Sequence, residues 1–64
     1  MKTVTLYPIS GKSQDFSGLL GSISGVRVNQ IGVDVEIRGT PQQIDQVVQV
    51  AARFGYRASE IQDA

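Results

Sequence analysis

The chain has 64 residues, six of them basic and six acidic, and it contains neither cysteine nor histidine. That composition excludes disulfides, ordinary zinc sites and any mechanism built on a thiolate or an imidazole. A neutral chain with an isoelectric point near 6.0 also has no overall attraction for phosphate backbones or anionic lipid.

One small domain spanning residues 1–64 is the expected organisation. A chain of this size buries only about 60% of the surface its unfolded form exposes. Stability must come from packing, helped by self-association. The apolar fraction of 41% argues against disorder. The apolar runs are far short of the roughly 20 residues that cross a bilayer, so no membrane role is expected. The segment Met1–Thr5 lacks the apolar stretch of a secretory signal, and a cytoplasmic location is expected.

Val4, Leu6 and Pro8 alternate with Thr3, Thr5 and Tyr7, which predicts a first strand over residues 2–9. Ser10-Gly11-Lys12-Ser13 follows as a loop. Phe16, Leu19, Leu20 and Ile23 then recur at helical spacing, with Ser13 as the expected N-cap and Asp15 near the positive end of the dipole. Gly18 and Gly21 weaken this helix by up to about 1 kcal/mol each relative to alanine. Gly25 ends it. Val26 and Val28 oppose Arg27 and Asn29 in a second strand, and Gln30-Ile31-Gly32 is the expected turn.

Val33, Val35 and Ile37 alternate with Asp34, Glu36 and Arg38, a strand with one buried and one wet face. The expected loop sets Arg27 across from Asp34. Thr40, Pro41 and Gln43 spell a capping box with proline at the first helical position. Ile44, Val47, Val48 and Ala51 form the apolar face of that helix, and Gly55 is its left-handed stop. Residues 56–61 supply a short final strand, and residues 62–64 are expected to fray. The order β-α-β-β-α(-β) predicts an α+β two-layer sandwich of ferredoxin-like plan, with an antiparallel sheet and two helices on one face.

Few residues offer chemistry. Asp34 and Glu36 fall on the wet face of a strand, the serines have no histidine to activate them, and Lys2 and Lys12 are exposed. The chain is expected not to be an enzyme and to need no cofactor or metal. Gly11-Lys12-Ser13 resembles the tail of a phosphate loop, but Leu6 stands where that motif needs glycine. The loop formed by Ser10, Gly11, Lys12 and Ser13 remains a candidate contact for an anion or an acidic partner. Tyr7 and Val50 are candidate exposed contacts for a partner protein. Gly18-Leu19-Leu20-Gly21 has the G-x-x-G form of the nucleotide-clamping loop in KH domains, and Val33–Gly55, above all Ile37–Ile44, resembles their closing β-α segment.

Val33–Ile37, Gly39-Thr40-Pro41 and Phe54-Gly55-Tyr56-Arg57-Ala58, with Gly25-Val26, resemble the heavy-metal-associated domain family over about two-thirds of the chain. The resemblance implies a ferredoxin-like scaffold. That family carries Cys-x-x-Cys after its first strand, where this chain has Gly11–Phe16, so no metal-binding residue carries over. The leading expectation is a small non-catalytic protein-interaction or regulatory domain, acting through the sheet's edge or face or through the loop at residues 10–15, with a second copy as the simplest partner. The alternative is a KH-like module for single-stranded nucleic acid, against which the neutral charge counts.

Overall fold

The computed structural model describes residues 1–63. Strand β1 (Lys2–Pro8) and strand β3 (Asp34–Gly39) pair antiparallel, with Val4 opposite Ile37 and Leu6 opposite Val35. These four side chains are fully buried and share one face of the sheet. Strand β2 (Arg27–Ile31) pairs with the free side of β3, while β4 (Tyr56–Ala58) and β5 (Gln62–Asp63) both pair with β1. The result is a five-stranded antiparallel sheet of order β2-β3-β1-β4, with β5 beside β4 on the flank of β1.

Helices α1 (Phe16–Ser22) and α2 (Pro41–Ala51) supply the second layer. Leu19, Ile44, Val47 and Ala51 join Val4, Leu6, Val35, Ile37 and Tyr56 in one buried cluster. Each fully buried aliphatic side chain contributes roughly 1.5–3 kcal/mol relative to its exposed state. Both helices therefore pack against the same side of the sheet, and the α+β class read from the sequence is observed.

The capping box at Thr40 is also observed. Thr40 Oγ1 accepts from the Gln43 backbone N–H at 3.2 Å, and Gln43 Oε1 accepts from the Thr40 N–H at 2.9 Å. Gln43 Nε2 extends this cap by donating to the Gly25 carbonyl at 3.3 Å, tying the start of α2 to the entry of β2. A 3₁₀ turn over Ala52–Phe54 follows α2, and Gly55 stops it at φ 83°.

Several expectations are corrected. Asp15, not Ser13, caps α1, accepting from the Gly18 N–H at 2.9 Å. The Asp15 N–H is itself held by the Phe54 carbonyl at 3.0 Å, which fixes the carboxylate, a stronger acceptor than a hydroxyl, at the helix start. Leu20 is exposed, because α1 buries Leu19 and only partly buries Phe16 and Ile23. The hairpin turn is Gly32-Val33, since Gly32 takes the positive φ of 61° that a two-residue loop needs at its first position. That tight reversal places Arg27 opposite Arg38, and Asp34 opposite Ile31, so the expected Arg27–Asp34 pair does not form. Val33 sits at the turn with 73% exposure instead of in the core.

The final strand is shorter than expected and is followed by another. β4 ends at Ala58, and Gln62 and Asp63 pair with Thr3 and Lys2 instead of fraying. A Lys2–Asp63 ion pair joins the ends of β1 and β5. The expectation for Ala64 lies outside the described residues.

Candidate interaction surface

The two edges of the sheet are built differently. On the β1 flank, β4 and β5 are three and two residues long, separated by Ser59-Glu60-Ile61. Ser59 keeps the ladder continuous by accepting from the Thr5 N–H at its Oγ (2.9 Å) and donating its own N–H to the Thr5 carbonyl (2.8 Å). Interruption of this kind blunts an edge against further strand pairing.

The β2 edge has no such protection. All five residues of β2 are exposed, on both faces of the strand. Among the described elements β2 lies against β3 alone; α1, only seven residues long, packs on α2 and the 3₁₀ turn instead. Val28 therefore points toward the helix side yet stays 38% exposed. Beside it stand Ile31 at 55% and the turn residue Val33.

The tight hairpin also decides which backbone groups face outward. Ile31 and Asp34 flank a two-residue loop and form a hydrogen-bonded pair, so bonded pairs alternate at Asn29–Glu36 and Arg27–Arg38. The N–H and C=O of Val28 and Gln30 point away from β3, toward solvent. They are an open template for another strand.

The sheet face opposite the helices is polar. Arg27, Asn29, Glu36 and Arg38 line a shallow depression of about 410 Å³ with Val28 at its rim. Arg27 and Arg38 are directly opposed like charges, an unfavourable cross-strand pair. A second depression of about 580 Å³ is lined by Tyr7, Pro8, Ile9, Ser10, Arg57 and Ala58. Tyr7 is 41% exposed there, directly opposite Arg57.

The structure thus brings Tyr7 and Ser10 together. It does not bring Val50 to them: Val50 lies on α2, across the sheet, and packs partly against the core. Ser10, Gly11, Lys12 and Ser13 form an exposed loop whose hydrogen bonds are largely internal. The Lys12 N–H donates to the Ile9 carbonyl at 3.2 Å. Gln14 Nε2 donates to the Ile9, Lys12 and Gly55 carbonyls at 3.0, 2.6 and 3.2 Å. The carboxylate of Asp15 already occupies the N-terminus of α1. Gly18-Leu19-Leu20-Gly21 lies inside α1, with Leu19 fully buried.

Sequence reasoning pointed to a sheet edge or face without singling out β2. Its one available signal was polarity on both faces, since Arg27, Asn29 and Gln30 leave Val28 and Ile31 as its apolar residues. No helix among the described residues is long and apolar enough to cross a membrane. No protein-family model, curated protein or solved structure matches this chain.

Proposed function

We propose that this chain is a small non-catalytic interaction domain that takes up a partner strand along β2. The observation that carries the reading is the uncovered edge, with the backbone groups of Val28 and Gln30 turned outward. Main-chain hydrogen bonds to an added strand supply affinity, and alternate side chains supply selectivity. The scaffold is read as ferredoxin-like, because β1 and β2 run the same way with β3 between them, the pattern of a split β-α-β unit. On that scaffold, the loop that would hold a metal in the heavy-metal-associated family is closed on itself by Gln14, and the binding role passes to the opposite edge of the sheet.

The nucleic-acid reading has less support. The G-x-x-G segment is helical, and the open face mixes Arg27, Arg38 and Arg57 with Asp34 and Glu36. A Gln30→Pro variant tests the edge reading, because it removes an outward N–H while leaving the β2–β3 ladder its bonds. Immobilised wild-type chain is expected to retain a partner from the source cell that the variant releases. Equal recovery by both, together with unchanged self-association, overturns the reading.

A further inference from the structure

We infer that the strand taken up by β2 is β2 of a second copy, paired antiparallel about a two-fold axis through Asn29. This rests on the edge-strand reading and names its partner. An axis at Asn29 is the one placement that pairs all five residues of β2, setting Arg27 opposite Ile31, Val28 opposite Gln30, and Asn29 opposite its own copy. Val28 and Gln30, whose backbone groups face outward, then meet each other twice and form four main-chain hydrogen bonds. The two Asn29 side chains meet across a non-bonded pair, where each amide both donates and accepts.

Charge favours the same register. Within one chain Arg27 is opposed by Arg38. In the paired form Arg27 lies across Ile31 of the second copy, whose neighbour on β3 is Asp34. Two strand spacings, about 10 Å, separate Arg27 from that aspartate, within reach of an arginine and a carboxylate extended toward each other. Both copies gain this pairing at once, as an isologous interface requires. The axis stands perpendicular to the sheet, so the helices of both copies lie on one side and a continuous sheet runs through the dimer. The edge alone covers little area, which makes the association weak and concentration-dependent.

The experiment is sedimentation velocity on the full chain over a concentration series reaching about 1 mM, with circular dichroism on every variant. The wild type is expected to pass from monomer to dimer, and Gln30→Pro to raise the dissociation constant by about tenfold or more. Arg27→Glu is expected to weaken the dimer while raising the monomer's urea midpoint, because it relieves the opposition to Arg38. Arg27→Glu combined with Asp34→Arg is expected to restore association to near the wild-type level. That charge exchange keeps the register testable should Gln30→Pro fail to fold. A chain that stays monomeric to about 1 mM overturns the second copy as partner, while a captured protein lost on Gln30→Pro still upholds the edge reading. A dimer indifferent to both Gln30→Pro and Arg27→Glu alone overturns the register and the edge reading together.

Discussion

At Gly55 the backbone stands at φ 83°, and a Cβ added there would run into the Ser13 carbonyl. The same residue accepts the Ile9 N–H at 2.8 Å, so one glycine joins the end of α2's 3₁₀ turn to the loop after β1. Gly55→Ala therefore combines left-handed strain with a backbone collision, and should cost about 1–3 kcal/mol in urea denaturation. Asp63 shows a quieter dependence. The hydrogen bond from Lys2, and then its positive charge, hold the Asp63 carboxyl below the ordinary aspartate value. A depressed carboxyl contributes stability above its unfolded pKa and loses it as pH falls through the folded one. The end of β5 should thus detach from β1 only in acid below the ordinary aspartate range. An NMR titration of Asp63 checks this, and Lys2→Ala should move the carboxyl back toward its usual value.

The elements that the sequence announced are those with purely local signals. Alternation marks β1 and β3, and Thr40-Pro41-Gln42-Gln43 writes out the start of α2. What local pattern could not settle was which residues the chain uses to reverse. Gly32 fits the last place of a longer turn as well as the first place of a two-residue one, and only ladder pairing against β3 chooses the latter. β5 had no strand signal at all, because Gln62 and Asp63 are held by Thr3 and Lys2, some sixty residues away in sequence. Which edge of the sheet lies open was hidden for a related reason: the exposure of β2 depends on how far α1 reaches. Within α1 itself the two glycines have different surroundings. A Cβ on Gly18 would meet Phe54 Cε1 at 2.8 Å and the Asp15 carboxylate, whereas one on Gly21 meets nothing within 4 Å. Gly21→Ala should stabilise the chain by up to about 1 kcal/mol. Gly18→Ala should destabilise it, and thermal melts of the two variants should move in opposite directions.

Across the whole molecule, stability is distributed unevenly. β1 and β3 sit at the centre of the sheet beneath α2, while β2 has one neighbour and no cover. Hydrogen exchange in dilute solution should therefore release the ladder amides of Arg27, Asn29 and Ile31 through local opening, well before those of Val4, Leu6, Val35 and Ile37. At high concentration the amides of Val28 and Gln30, free in one copy, should gain protection if β2 is paired as inferred. The pairing of β5 with β1 bears on a different matter. Lys2 lies opposite Asp63, so the start of β1 and the end of β5 stand side by side, with β1 and β3 between β5 and β2. A dye or tether at residue 1 or residue 63 is thus near its counterpart and two or three strand spacings, roughly 10 or 14 Å respectively, from the β2 edge. In a β2-paired dimer the β1 strands would stand about five spacings apart, near 24 Å, on opposite flanks of one sheet. Energy transfer between singly labelled copies could then report assembly from positions that touch none of the surface being assembled.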